Sequence, residues 1–476
     1  MPEKRTEALL VTPLPPMKTG LATYAVRVLE NTSGFVNWTV AYTDGSDPDS
    51  LPSSVKSIPL ARLREDDLPS ARIFQIGNSV HCFPVVQALY KFSGTALFHE
   101  TVIHHMLRHC YLESDTPEDY RRELLFCYGP AAKKVEKDLS DGNIPAVQYD
   151  RKLKQYPLIG RAVHASHSAV CLNPYAASIL KGSYPDDRIL TIGHPLSPLP
   201  ELEVLSKPFP LSFGMIGTNH HGRNLDKIVE AVELLRIDYP DAGLVLIGGD
   251  YPEELPQWVV RTGRLEEPEY QSWIRTLDYV FDVRYPTCGE TSGSLLEAMR
   301  AGIPSIVTAT GSFNNIPSDA VIRVPPDSIV QGICAAVRLL ESRPELRNSL
   351  CRNGARYAAD TGSVVRLEAD WKRVLQLAGK LSSNYSAADN SHSSSPAWRE
   401  PPDGFVRDIN TKPVSWKFTG KAELEGPQSC SGAMVTAWGE GTAGSVELKS
   451  EPEVINLDGR IVHFIGNGWV SNVIWK

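Results

Sequence analysis

The stretch Val283–Pro304 reads VRYPTCGETSGSLLEAMRAGIP. Its pattern predicts the end of a strand, a glycine-containing loop and a helix that begins near Ser292–Ser294. Free backbone N–H groups at the start of such a helix can hold a phosphate, and the helix dipole helps them. Glu290 lies in the loop, and Glu297 lies one or two turns into the helix. The two carboxylates could therefore address different parts of one extended ligand, and carboxylates among hydroxyl groups suit a sugar or a ribose.

The alternation of strand, loop and helix continues on both sides of this stretch, which predicts parallel sheets covered on both faces. Two successive α/β units predict two Rossmann-like domains, residues 1–200 and 201–380, with a cleft beyond the carboxyl ends of the strands. The predicted strands are Ala8–Val11, Trp38–Tyr42, Arg72–Ile76, Thr95–Phe98, Ala169–Leu172, Ile189–Ile192, Leu211–Ile216, Leu244–Ile247, Val259–Gly263, Tyr279–Val283, Ser305–Thr308 and Val321–Val324.

A long helical pattern, about Pro117 to Leu158, interrupts the first half of the chain. It is polar on one face and apolar on the other. Two interpretations remain open. The segment is either a helical insertion that packs on the sheet or a lid that takes part in recognition of an acceptor.

The composition changes after residue 380. Residues 381–403 are polar and rich in serine, which predicts a flexible linker. Residues 404–476 lack helical periodicity, and their short β-like runs between glycine and proline residues predict a small β-sandwich or barrel. These runs are Val414–Phe418, Ala433–Ala437, Ser445–Leu448, Ile461–Phe464 and Val470–Ile474. About 70 residues are barely enough for an independent core, so this β-rich accessory domain is expected to lean on a partner or a larger unit.

Composition excludes several classes of protein. The 476 residues include 48 Lys and Arg against 56 Asp and Glu, a net charge of −8, which disfavours nucleic acid as a partner. The charge also argues against broad attachment to anionic lipid, so at most a peripheral membrane contact is expected. No apolar run reaches the roughly 18 residues of a membrane span. The run Ala8–Val11 is too short for the core of a signal peptide, and we expect a cytoplasmic protein.

Histidine and cysteine do not predict a metal site. The 8 cysteines are scattered without a CxxC pair, as is typical of reduced thiols in the cytosol. The histidine clusters His104-His105, His164 with His167, and His220-His221 have no matching cysteine or carboxylate spacing. Neither a metal nor a separate cofactor is therefore expected.

The paired glutamates resemble the signature of retaining GT-B glycosyltransferases, in particular glycosyltransferase family 4 (group 1). The resemblance extends through Glu-Ala-Met-Arg-Ala-Gly-Ile-Pro after the loop and covers roughly residues 5–378. It implies an α/β fold of the GT-B type, with two facing Rossmann-like domains. The other segments that resemble the family are Pro15–Ala22, Phe98-His99-Glu100, Phe213–Gly217, Arg223-Asn224 and Thr262-Gly263.

The resemblance implies that the domain of residues 201–380 holds a nucleotide-diphosphate sugar and that the domain of residues 1–200 meets the acceptor. Glu290 would hydrogen-bond sugar hydroxyls or stabilise charge near the anomeric carbon, and Glu297 would bind the ribose hydroxyls. The amides of Thr291, Ser292 and Gly293 would meet the sugar and the diphosphate.

Five further residues receive roles from the same resemblance. Arg223 would neutralise the diphosphate through a bidentate fork, and Gly217 would lie beside it on the donor side. Gly20 would let the backbone of the first domain approach the phosphates. His99 would face the reacting centre or the acceptor, and Arg264 would lie beside the base.

Two stretches depart from the family. Thr218–His221 stands where many relatives carry an arginine, which Arg284 could replace, and Asn315 stands where relatives often have an acid. The expected activity is metal-independent hexosyl transfer with retention, to a saccharide, a lipid-linked or another glycoconjugate acceptor. Two alternatives remain open: a non-catalytic adaptor that binds carbohydrate or nucleotide sugar, and a nucleotide-sugar epimerase of GT-B fold.

Overall fold

The computed structural model describes residues 5–114, 116–140, 156–196 and 205–385, and beyond these only short strands within 417–474. The chain divides into two compact units. One unit contains both parallel sheets, and the other contains two helices of the first half and the C-terminal strands.

The first sheet has seven strands in the order β3-β2-β1-β4-β5-β6-β7. All neighbouring strands pair in parallel. The strands are β1 (Thr6–Thr12), β2 (Val36–Tyr42), β3 (Lys56–Pro59), β4 (Ala71–Ile76), β5 (Gly94–Phe98), β6 (Ser166–Cys171) and β7 (Ile189–Thr191). The helices of this part are α1 (Gly20–Thr32), α2 (Phe83–Phe92), α3 (His104–Glu113), α4 (Pro117–Tyr128), α5 (Ala132–Ser140), α6 (Gly160–Ala165) and α7 (Pro174–Leu180).

The second sheet has six parallel strands in the order β10-β9-β8-β11-β12-β13. This is the strand order of a dinucleotide-binding sheet. The strands are β8 (Leu211–Ile216), β9 (Ala242–Ile247), β10 (Val259–Gly263), β11 (Tyr279–Asp282), β12 (Ser305–Thr308) and β13 (Ile322–Val324). The helices are α8 (Leu225–Leu235), α9 (Glu267–Ile274), α10 (Gly293–Arg300), α11 (Ile329–Ser342), α12 (Pro344–Thr361) and α13 (Val364–Tyr385).

Burial on both faces explains why these strands were recognisable. Every residue of β9 is buried, and so are the last five of β1. Strands covered by helices on both faces read as nearly continuous apolar runs. The predicted α/β class with two Rossmann-like sheets is therefore confirmed.

Helix α13 returns from the second sheet to cover the first. Trp371 is fully buried and packs edge to face on Trp38 of β2, with ring centroids 5.6 Å apart. Leu367, Val374 and further residues of α13 belong to the core of the first sheet. The range predicted for the donor domain, 201–380, includes most of α13. The buried side chains of α13, however, belong to the core of the first sheet.

The structure corrects two boundaries. The helical pattern predicted for Pro117 to Leu158 is broken at Gly129–Ala131, where Gly129 and Pro130 separate α4 from α5. Of its later part, residues 141–155 lie outside the described residues, and residues 156–158 are not helical. The predicted linker cannot begin at residue 381, because α13 continues to Tyr385. Its remainder, 386–403, lies outside the described residues.

Only short antiparallel strands are described in the C-terminal region. β14 (Lys417–Thr419) pairs with β15 (Glu423–Glu425), and β17 (Ile461–Gly466) pairs with β16 (Val435–Thr436) and β18 (Trp469–Ile474). The run Ser445–Leu448 lies outside the described residues, and the β-sandwich or barrel stays a prediction. Among the helices described, none is both long and apolar enough to cross a membrane.

Candidate active site

The carboxyl ends of β8 and β11 lie side by side, because the strand order reverses between them. Parallel sheets bind their ligands at such a switch point. The chain after β8 runs through Gly217 to Arg223, and the chain after β11 runs through Glu290 to α10. The stretch Val283–Pro304 therefore lies at the edge of the sheet where proteins of this fold bind their ligands.

The start of α10 is fixed by a side chain that also contacts an arginine. Ser292 is the N-cap residue, and its Oγ accepts a hydrogen bond from the backbone N–H of Leu295 at 3.3 Å. The same Oγ accepts a second hydrogen bond, at 2.8 Å, from Nη2 of Arg284. Because a helix start leaves four N–H groups without partners inside the helix, this end carries partial positive charge next to a cation.

A buried carboxylate joins two arginines beside this helix start. Oδ1 of Asp282, the last residue of β11, accepts hydrogen bonds from Nη2 of Arg223 at 3.2 Å and from Nε of Arg284 at 2.8 Å. Burial raises the pKa of Asp282, but Arg284 and Arg223 outweigh burial and hold the pKa below its usual range. Arg223, Arg284 and Asp282 together carry +1, and the neighbouring carboxylate of Glu290 brings the sum to zero. The two guanidinium groups are the part of this cluster that an anion could bind.

Gly217 gives this cluster its shape. Its φ is +114°, a conformation that favours glycine, and a Cβ atom here would lie 2.5 Å from Nη1 of Arg223. The guanidinium group of Arg223 therefore packs directly on the backbone at the end of β8. The predicted donor residues Gly217 and Arg223 lie together, and the side chain of Arg223 is almost fully buried.

Glu290 faces the same cluster. Its Oε2 accepts hydrogen bonds from Oγ1 of Thr287 at 3.0 Å and from the backbone N–H of Cys288 at 2.7 Å. Its Oε1 lies 3.5 Å from Nη1 of Arg284. A second carboxyl group, that of Glu100 after β5, feels the charge of this carboxylate. Burial, and then the charge of Glu290, raises the pKa of Glu100 to about 8.

The loop that carries Glu290 is attached to the first sheet. The backbone N–H and Oγ1 of Thr101 both donate to the carbonyl of Cys288, at 2.8 and 3.1 Å. Nδ2 of Asn173 donates to the carbonyl of Gly289 and to Oγ1 of Thr291, both at 2.9 Å. The hydroxyl of Thr291 is thus occupied by structural contacts, which leaves its backbone amide for the predicted role.

Three aromatic rings gather at the start of α10. Tyr24 of α1 meets His99, which follows β5, and His194, which follows β7, with ring centroids 4.6 and 5.4 Å apart. Nδ1 of His194 donates to the carbonyl of Pro195, and a Cβ atom at Gly293 would lie only 2.9 Å from Cε1 of this ring. Within the part of the chain that the structure describes, Oη of Tyr24 and Nε2 of His99 are buried without a hydrogen-bond partner.

Both histidines are held neutral. Burial, and then His194, lowers the pKa of His99 to about 3. Burial, and then Arg27, lowers the pKa of His194 to about 4. Neutral imidazole rings and a tyrosine hydroxyl suit the hydroxyl groups of a sugar.

We expect acid to destabilise the protein through these histidines. Their ordinary pKa is 6.5, so the stabilisation is complete above that pH and is lost as the pH falls towards 4. The melting temperature should therefore drop between pH 6.5 and 5, and His194→Gln should flatten the drop. The exposed residue His109 provides the control, since His109→Gln should follow the wild-type curve. A His194→Gln curve parallel to that of the wild type would refute this explanation.

Glu297 is buried in α10 with both oxygens engaged. Oε1 accepts a hydrogen bond from Nη1 of Arg27 at 3.1 Å, and Oε2 accepts one from Nε2 of Gln271 at 3.0 Å and pairs with Arg300. Its side chain is 2% exposed. The carboxylate predicted to bind ribose is therefore covered by a side chain of α1.

The last two predicted residues lie at the margin of this site. Gly20 begins α1, and a Cβ atom there would meet nothing within 4 Å, so no protein contact among the described residues requires glycine. Arg264 lies against Gly249 and donates from Nη2 to Oδ2 of Asp250 at 3.1 Å. Both remain predictions as ligand contacts. Within the described residues, no three His, Cys, Asp or Glu side chains lie close enough to hold a metal ion.

Sequence reasoning missed several residues of this site. Asp282 could have been predicted as a site residue, because it is a charged residue at the carboxyl end of a predicted apolar strand. Tyr24 and Arg27 are three residues apart on α1 and share a helix face, but nothing local indicates that this face meets α10. Asn173 and His194 act through contacts more than 90 residues away in sequence, which spacing does not reveal.

The part of the chain that forms the second sheet is similar to a known protein family. Residues 210–342 match the family described as glycosyl transferases group 1. A sequence search of curated proteins gives no match.

Solved structures match over most of the chain. Sucrose-phosphate synthase from Thermosynechococcus elongatus is 14% identical, with 81% of this chain and 100% of that chain covered and a TM-score of 0.53. WaaG, a glycosyltransferase involved in lipopolysaccharide biosynthesis, is 14% identical, with 78% and 99% covered and a TM-score of 0.51. A glycosyltransferase from Rickettsia africae ESF-5 is 11% identical, with 79% and 98% covered and a TM-score of 0.51. At these identities the likeness shows the fold alone, and the predicted GT-B fold and group 1 resemblance are confirmed.

Proposed function

We propose that this protein transfers a sugar from a nucleotide-diphosphate sugar to a saccharide or glycoconjugate acceptor, with retention of configuration and without a metal ion. One observation carries the proposal. Two arginines, a capped helix start and the carboxylate of Glu290 meet at the switch point of the group 1 sheet. An anion with a sugar attached is the ligand that these groups complement together.

The donor diphosphate would lie between the arginine cluster and the first turn of α10. Arg223 and Arg284 would offer the diphosphate two guanidinium groups, whose charge Asp282 and Glu290 balance in the free protein. The start of α10, next to Arg284, adds the partial positive charge of a helix N-terminus. In a buried site these groups stabilise a leaving diphosphate without reorganising during the reaction. Arg284 thereby supplies the cation that the stretch Thr218–His221 lacks.

The sugar would lie against Glu290. This carboxylate is oriented by Thr287 and by the backbone of Cys288, so it is positioned before the donor arrives. The neutral groups of Tyr24 and His99 gather with His194 at the start of α10, and their buried polar atoms lack partners in the described structure. Sugar hydroxyl groups would supply hydrogen-bond partners for those atoms.

Transfer requires only orientation and stabilisation of charge. The bond between the anomeric carbon and the diphosphate oxygen breaks, and its electron pair leaves with the diphosphate. The acceptor oxygen forms its bond on the same face of the sugar, and its proton passes to the departing diphosphate oxygen. Glu290 stabilises the positive charge that develops at the anomeric carbon.

The first experiment is a thermal-shift screen with uridine, guanosine, adenosine and thymidine diphosphate sugars. A bound donor should raise the melting temperature by mass action. The donor so identified is then incubated with the protein and simple saccharide acceptors, and nuclear magnetic resonance of the anomeric proton should show a product with the configuration of the donor. Binding without any transfer or hydrolysis would favour an adaptor, and conversion of the donor sugar without an acceptor would favour an epimerase.

A further inference from the structure

The carboxylate of Glu297 is covered in this structure by a residue of the other sheet. Arg27 lies on α1 and reaches Glu297 on α10 with Nη1 at 3.1 Å. Its Nη2 lies 3.2 and 3.3 Å from the two oxygens of Glu267 on α9. One guanidinium group thus bridges a helix of the first sheet and two helices of the second.

This network is complete without a ligand. Arg27 and Arg300 balance Glu267 and Glu297, and Nε2 of Gln271 donates to both glutamates, at 2.9 and 3.0 Å. The side chain of Arg27 is only 13% exposed and that of Glu297 only 2%. A ribose could therefore reach this carboxylate only by displacing one of its partners, and Arg27 is the partner that comes from the first sheet.

The inference rests on the proposed function and on the role that the family resemblance implies for Glu297, which is to bind the ribose of the donor. We propose that Arg27 competes with that ribose for Glu297, so that the donor binds only after Arg27 has left the carboxylate. Binding of the nucleoside is then coupled to a loss of contact between α1 and α10. A ligand that binds only the open arrangement has an apparent affinity reduced by the fraction of molecules that are open.

Removal of Arg27 should leave the fold intact. Glu297 keeps Arg300 and Gln271 as partners, so no unpaired charge is buried. Glu267 keeps Gln271 and is 41% exposed, so water solvates it. Glu267→Gln is a second, milder variant, which removes the other anchor of Arg27 without touching Glu297.

The test is calorimetric titration of wild type, Arg27→Ala and Glu267→Gln with UDP, GDP, ADP and dTDP in turn. The nucleotide preferred by the wild type should bind Arg27→Ala more tightly, by on the order of tenfold, the size of an ordinary coupling between two states. Glu267→Gln should change affinity in the same direction by less. Inorganic pyrophosphate, which lacks the ribose, should bind all three proteins equally.

Arg338→Ala is the matched control, because Arg338 on α11 makes an exposed ion pair with Asp238, which follows α8. If Arg27→Ala binds the nucleotide as tightly as the wild type or less tightly, Arg27 does not compete with the ribose. That result would not contradict the proposed donor site. A parallel change in pyrophosphate affinity would also overturn it, since Arg27 would then act on the diphosphate. If none of the nucleotides binds any of the proteins, the proposed function itself falls.

Discussion

Glu290→Ala is expected to lower kcat by on the order of 10²–10³-fold, the usual cost of losing one group that stabilises charge in the transition state. Glu290 is positioned by hydrogen bonds from Thr287 and Cys288 at 3.0 and 2.7 Å, and its other oxygen faces Arg284. The charge therefore stands at a fixed place before the donor bond breaks. Binding of the nucleoside diphosphate should change little, because Glu290 serves the sugar.

Glu290→Gln removes the negative charge of the side chain and keeps its shape, so it distinguishes the effect of the charge from that of the hydrogen bonds. The amide oxygen of glutamine still accepts the hydrogen bonds from Thr287 and Cys288, so the loop and the melting temperature should stay close to those of the wild type. Initial rates at saturating donor measure kcat, and the Gln variant should lose most of the activity that the Ala variant loses. Wild-type turnover in Glu290→Gln would remove Glu290 from the chemistry.

The part of the site that the sequence predicted comes from one continuous segment. Glu290, Ser292, Gly293 and Glu297 lie within eight residues, and a strand, a loop and a helix of predictable type carry them. Their positions follow from the local pattern, because the end of a buried strand and the cap of a helix are both visible in sequence. Both sheets were likewise predicted from their apolar runs, except β3, whose residues are exposed or half-buried and form no such run.

Contacts between distant segments were not predictable in this way. Arg27 and Glu297 are 270 residues apart, and no spacing rule relates them. Helix α13 has an amphipathic pattern, but such a pattern does not say which sheet its apolar face covers. Trp371 and Trp38 decide this by packing together in the core of the first sheet, and only the tertiary structure shows that contact.

Asp282→Ala is expected to destabilise the protein by about 3–5 kcal/mol, because it leaves two arginines buried without their shared partner. Asp282 is 2% exposed and Arg223 is 5% exposed, so water cannot replace the carboxylate. Urea unfolding should show the loss as a lower midpoint. The control is Asp238→Ala, which breaks a single exposed pair with Arg338 and should cost no more than about 1 kcal/mol.

A double variant separates the charge from the packing. In Asp282→Ala the buried guanidinium of Arg223 is unpaired, whereas Arg284 retains Ser292 and Glu290 as partners. Arg223→Met in the Asp282→Ala background removes the unpaired charge and keeps most of the side-chain volume, so it should recover part of the lost stability. If Asp282→Ala unfolds at the same urea concentration as Asp238→Ala, the arginines do not depend on Asp282. The anion site would then have to be held together by contacts other than this shared carboxylate.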